Sequence, residues 1–366
     1  MNSSFLMKRI PYNKKEFIYQ KSMKLCFAPM DWITNWATRY ITENIFDQYK
    51  EKEDSLQTRT EFMNADGFVI NPWWVAKHLL TIQTKNKPIA QLFWWRKENL
   101  LKATSLLIEN FKESFSWIEL NTWCPSNTVM KCWGGSDMLK HRPETLDIIK
   151  ELSNILKDSW LTFSVKSRAG LNEEDKKEQL WFLIEVSKYT DLLTVHWRTL
   201  KQLYMWEADF SFIKEVKNKA SCPVIANGWI TNYEQASEKF KDFDWIMIGQ
   251  WAIGNPWIFT KHQPTLDEKI DTIKKHLSLM ITADFRFEKY IKPMKNYTFP
   301  QPTIEELEHL EKDIDYDTPY HSIVEFRKYA FQYLKGIPCS REIKQWILQK
   351  KTFNEMLEIL SLLKNK

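Results

Sequence analysis

A thiol, an amine, an imidazole and two glycine-bearing turns follow one another through the middle of this sequence. Cys124 sits in the run Asn121-Thr122-Trp123-Cys124-Pro125-Ser126, Lys166 in Val165-Lys166-Ser167-Arg168-Ala169-Gly170, and His196 in Thr194-Val195-His196-Trp197-Arg198-Thr199. Asn227-Gly228 and Gly249-Gln250 come later. Singly, each has a structural explanation. A lone strand Lys usually snorkels, and a lone Cys is usually a small buried hydrophobe, as Cys26 and Cys222 read here. A lone His is more often a hydrogen-bonded core residue than a catalyst. Brought to one rim, the set would offer a proton donor, a positive charge and turns able to bind an anion through backbone N–H groups.

The elements that must position them are legible. Short apolar runs at 24–28, 58–63, 88–93, 116–121, 161–168, 192–196, 223–227 and 244–249 read as buried parallel strands. Helical patterns lie between them, at 97–110, 143–156, 176–189 and 233–240. This alternation predicts a (β/α)8 TIM barrel, in which function gathers at the C-terminal ends of the strands. All the residues singled out above fall at such ends. A doubly wound sheet is the alternative, but its early glycine-rich turn is missing. The predicted organisation is an N-terminal extension (1–21), the barrel (22–262), a connector or insertion (263–320) and a small all-helical domain (321–366).

Composition narrows the class. No apolar run approaches the roughly 18 residues of a membrane span, and residues 1–15 carry no stretch suited to a signal peptide. The five cysteines form no CxxC pair, so neither a zinc site nor a disulfide framework is expected. A cytoplasmic protein without metal, a monomer, is the expectation. The net charge is +5, and residues 318–366 alone carry nine Lys/Arg against four acids. A basic tail beside a neutral body suggests a polyanion partner; a solvated lysine-rich helix face is the plain alternative.

Taken together, the motifs resemble the tRNA-dihydrouridine synthases, flavoenzymes that reduce uridine in tRNA. The resemblance runs from about residue 24 to the C-terminus. It rests on APMDxIT (28–34), QLF (91–93), ELNxxCPS (119–126), VKSRAG (165–170), TVHxRT (194–199), YMxEAD (204–209), IANGxIT (225–231), IMIGQ (246–250), AIGNPWIF (252–259) and the tail segment 325–342. The resemblance implies that Cys124 is the catalytic acid. It implies that Pro29, Met30, Asp31, Gln91, Lys166 and His196 surround the flavin ring and ribityl chain of FMN. Asn227, Gly228, Trp229, Gly249 and Gln250 would form its phosphate turns. Asn121, and with it Arg198, would contact the target base. NADPH would be the reductant and tRNA the partner of the basic tail. Gln250 replaces an Arg common in the family, so Gln250→Arg is expected to tighten FMN binding, read by titrating the apoprotein. Two other classes stay open: a different FMN barrel reductase acting on a small molecule, and an inactive RNA-binding homologue.

One departure is systematic. The chain has 18 Trp and only 8 Gly. Ten of the Trp (32, 94, 117, 123, 133, 197, 206, 229, 245 and 251) fall where the family's motifs carry Gly. A diverged homologue is one explanation. Replacement of Gly alone, always by Trp, points instead to UGA codons written as Trp but read as Gly. Trp257 belongs to the motif NPWIF and should be a true Trp. Converting all the others would take Gly from 8 to 25, about the 7% usual in proteins.

Overall fold

The computed structural model describes residues 22–71, 86–93, 96–131, 134–202, 209–291, 306, 309, 312–337 and 340–364. The extension 1–21, most of the stretch 292–311, Cys132, Cys339, Trp94, Trp133 and Trp206 lie outside the described residues.

Nine parallel strands run in chain order: β1 (Lys24–Phe27), β2 (Ser55–Gln57), β3 (Arg59–Asn64), β4 (Ile89–Phe93), β5 (Trp117–Thr122), β6 (Thr162–Arg168), β7 (Leu192–His196), β8 (Val224–Asn227) and β9 (Trp245–Ile248). Their spatial order is β2-β1-β9-β8-β7-β6-β5-β4-β3. The two ends of this sheet, β2 and β3, are joined through the single residue Thr58. They are one barrel strand broken at Thr58: its first part pairs with β1 and its second with β4. The covalent chain therefore closes the (β/α)8 TIM barrel that the alternation predicts.

The strands are short and largely buried because both faces of the sheet are covered. β4 is buried at all five positions. The helices show the complementary pattern. In helix Arg142–Asp158, Thr145, Ile148, Ile149, Leu152 and Leu156 are buried at helical spacing.

Inside the segment 263–320 the chain forms a 21-residue helix, Leu266–Arg286. It starts at a reciprocal cap: the Thr265 hydroxyl accepts from the Glu268 N–H, and the Glu268 carboxylate accepts from the Thr265 N–H. Ile270, Ile273, Leu277 and Met280 of this helix share a second core with helix Trp36–Tyr49 and with the C-terminal helices His321–Tyr333, Ser340–Ile347 and Phe353–Lys364. The tail is thus packed against the barrel. The two come close together at Gly254, at φ +61: a Cβ there would lie 2.7 Å from the Tyr329 carbonyl oxygen and the Tyr333 nitrogen.

Polar bonds fasten the same junction. The Tyr329 hydroxyl donates to the Ile33 carbonyl at 2.5 Å and receives the Asn35 side-chain amide at 3.2 Å. His276 bridges the Thr38 and Tyr333 hydroxyls, at 3.2 Å each. Among the described residues no helix is long and apolar enough to cross a membrane, and no cluster of three metal-ligating side chains occurs.

Candidate active site

The site begins inside the barrel, with a charge. Glu119 on β5 is fully buried. One of its oxygens accepts from Arg59 Nε at 2.9 Å and from Gln91 Nε2 at 2.8 Å. The other accepts from the Ser164 and Thr194 hydroxyls, both at 3.3 Å. Burying a carboxylate is costly unless it is hydrogen-bonded, and four donors from β3, β4, β6 and β7 hold this one.

The next layer is built on that one. Gln91, oriented by Glu119, accepts from Asn121 Nδ2 at 3.1 Å. The oxygen of Asn121 in turn accepts the backbone N–H groups of Trp123 and Cys124, at 3.0 and 3.1 Å. A strand side chain thereby caps the start of the loop that carries the thiol. The loop is closed from behind by Ser136, whose N–H reaches the Cys124 carbonyl at 3.0 Å. Arg168 grips it as well, its Nε donating to the Trp123 carbonyl at 2.5 Å. Cys124 is buried, and burial pushes its thiol pKa up; a backbone N–H from Ser126 and the charge of Arg168 pull the other way. At neutral pH the thiol holds its proton.

Across the barrel mouth, β6 aligns Lys166 beside Asn121. Lys166 Nζ donates to Asn227 Oδ1 at 3.1 Å, and Asn227 Nδ2 donates to the Met247 carbonyl at 3.0 Å. Full burial drives the Lys166 pKa well below its ordinary value, with Arg168 and Arg59 adding to the fall and Glu119 opposing it. His196 Nδ1 lies 3.1 Å from the Asn227 carbonyl. Burial, then Lys166 and Arg168, push its pKa down, so the ring is neutral.

The remaining predicted residues fall on the same rim. Pro29 is buried, Met30 half-buried and Asp31 exposed on the loop after β1. Gly228 and Gly249 follow β8 and β9, with Trp229 and Gln250 exposed beside them. Arg198 is buried, its guanidinium carbon 4.7 Å from the Trp197 ring and 5.6 Å from the Trp229 ring. Arg59, Glu119 and Arg168 carry much of the site's organisation, and the motifs gave them no role. A charged residue inside an otherwise apolar strand was the available signal.

Indole rings stand at the mouth. The Trp123 ring centre lies 3.8 Å from Lys166 Nζ and 5.6 Å from the His196 ring, with Arg168 at 5.2 Å. Trp229 and Trp251 meet edge to face at 5.6 Å over the turns after β8 and β9.

A closed parallel barrel with a thiol, a lysine and a histidine on its C-terminal rim defines a barrel enzyme. The family model described as dihydrouridine synthase matches residues 26–365. The chain belongs to the dihydrouridine synthase family, and with it to the oxidoreductases. It is 25% identical over 348 residues to a probable tRNA-dihydrouridine synthase of Aquifex aeolicus (strain VF5), covering 92% of this chain and 95% of that protein. It is 27% identical to tRNA-dihydrouridine synthase B of Pasteurella multocida (strain Pm70), over 71% of this chain and 78% of the relative.

Proposed function

We propose that this chain reduces specific uridines of tRNA to 5,6-dihydrouridine, with Cys124 as general acid, FMN as cofactor and NADPH as reductant. Saturating the C5–C6 bond takes one hydride and one proton, and the proton is the part that this chain's own residues account for. What supports the reading most directly is the Cys124 loop: a buried thiol, protonated at neutral pH, held at the barrel mouth by Asn121 and Arg168. Proton transfer to C5 would leave a thiolate, and Arg168 and Lys166 are the nearby charges that favour that anion. The base must leave its stack to reach such a recessed group. The basic C-terminal helices (321–366) would hold the tRNA by its phosphates, and the barrel (22–262) would hold the reacting groups.

A flavin mononucleotide does not fit the side chains as written. The Trp123 indole stands over Lys166 and against His196, and Trp229 and Trp251, their rings in edge-to-face contact, belong to the turns that would take the phosphate. This one observation favours a second reading, an inactive RNA-binding homologue. Mapping dihydrouridine in tRNA from cells with and without the gene decides. Loss of particular dihydrouridines on deletion, restored by the gene but not by its Cys124→Ala form, supports the enzyme. An unchanged map refutes it.

A further inference from the structure

The backbone separates the tryptophans into two kinds without reference to any relative. Among the described residues, six have φ in the left-handed region: Gly135, Gly170, Gly254, Gly336, Trp32 and Trp160. Asn and Asp, which ordinarily share this region with Gly, supply none of them. Both exceptions are Trp, at φ 59.

Trp160 lies outside every motif quoted above, and its setting is specific. It follows Ser159, the C-cap of helix Arg142–Asp158. The Trp160 N–H bonds the Lys157 carbonyl at 3.2 Å, and the Leu161 N–H bonds the Leu156 carbonyl at 3.1 Å. That pair of bonds is the Schellman helix stop, whose left-handed residue is usually Gly. The Trp160 side chain is 62% exposed, so packing does not explain its presence. Trp32 is likewise exposed, at 56%.

Buried indoles give an independent sign. A buried Trp normally finds an acceptor for its N–H. The ring N–H groups of Trp117, Trp123 and Trp245 are buried without one. Trp257 behaves as a real core tryptophan: it is 3% exposed, stacks edge to face on Tyr333 at 6.2 Å and leaves no buried N–H unpaired.

We propose that glycine stands at positions 32, 123, 160 and 229 in the chain as its own cell makes it, through one codon written as Trp and read as Gly, while Trp257 is tryptophan. Positions 32 and 160 rest on the backbone alone; position 123 rests on its unpaired buried N–H and on the flavin reading above, and position 229 on the flavin reading alone. With glycine there, the space over Lys166 opens and the turn after β8 can approach a phosphate closely.

Peptide mass spectrometry on the protein isolated from its native source reads the four positions directly. Glycine at all four with tryptophan at 257 is the expected result; tryptophan at any of the four overturns the proposal. A second measurement separates it from the functional reading. The chain as written and the Trp32→Gly/Trp123→Gly/Trp160→Gly/Trp229→Gly chain are expressed in a standard host, then compared by thermal unfolding and flavin absorbance. The glycine chain should unfold at higher temperature and alone retain FMN. A lower unfolding temperature for the glycine chain counts against the proposal. Glycine in the native peptides, with a more stable glycine chain that binds no FMN, upholds the codon assignment and sinks the flavin reading.

Discussion

At the scale of single residues, the site hangs on Glu119. It fixes Gln91, which fixes Asn121, which caps the Cys124 loop. Glu119→Gln keeps the shape but leaves Arg59 buried without its counter-charge. Breaking such a pair costs about 3–5 kcal/mol, so the urea midpoint should fall markedly. A midpoint within error of the parent would remove Glu119 from this role. Cys124 makes a prediction about pH. With Cys124 as the general acid proposed above, the acid form would be the active one, so the rate would be full below the thiol pKa and lost as pH rises through it. Burial raises that pKa, which places the alkaline limb of single-turnover reduction above that of a free cysteine. Cys124→Ser should slow the step by about 10²–10⁴-fold and abolish the limb. That Cys124, Lys166 and His196 meet on one rim was legible in the sequence because each lies at a strand end within a motif. The Glu119 network was not, because hydrogen bonds between four strands leave no trace in the spacing along any one of them.

At the scale of elements, the strands were legible because parallel strands covered on both faces read as short apolar runs. The break at Thr58 was not: the run 58–63 covers only the part that pairs with β4, and Ser55–Gln57, which pairs with β1, lies before it and shows no apolar run of its own. The helix Leu266–Arg286 carried a readable start in Thr265 and Glu268 and a readable face in Ile270, Ile273 and Leu277. Its eight charged residues and the absence of a following strand hide it in a stretch that reads as a connector or insertion. Gly254 joins two elements and gives a sharp test. Gly254→Ala adds a Cβ where φ is +61 and the facing backbone is 2.7 Å away. Strain of this kind costs about 1–3 kcal/mol, and the contact with helix His321–Tyr333 must shift as well. Hydrogen exchange should show that helix losing protection before the barrel strands do; uniform exchange across both would argue against a weakened junction.

At the scale of the whole molecule, barrel and tail form one packed unit, and His276 makes it sensitive to acid. Burial, with a smaller push from Lys328, lowers its pKa to about 3. Thr38, Tyr329, Tyr333 and Phe326 face it from the neighbouring helices. Unfolded, the imidazole titrates near 6.5. The unfolded chain therefore binds the extra proton first. Stability is full above about pH 6.5 and falls toward pH 3 by about 1.4 kcal/mol per unit from this group. His276→Asn should flatten that part of the profile, measured by denaturant midpoints from pH 7 to 4. Charge makes the second prediction. Lys335, Arg341 and Lys351 are exposed on the tail. Replacing all three by Gln should weaken tRNA binding and lower the salt dependence of log K by about 2–3. An unchanged slope would place the tRNA elsewhere.

The bond from Tyr329 to Ile33 spans 296 positions of sequence. Its effect on the finished fold is anchorage; its effect on folding is order. Contacts so distant along the chain form late, since the loop they close must first be gathered. During synthesis the loop after β1, with Pro29, Met30 and Asp31, is made early and lacks this anchor until residue 329 has left the ribosome. The rim of the active site is therefore completed from the chain's far end, and a truncated product would present a barrel whose first loop lacks this anchor.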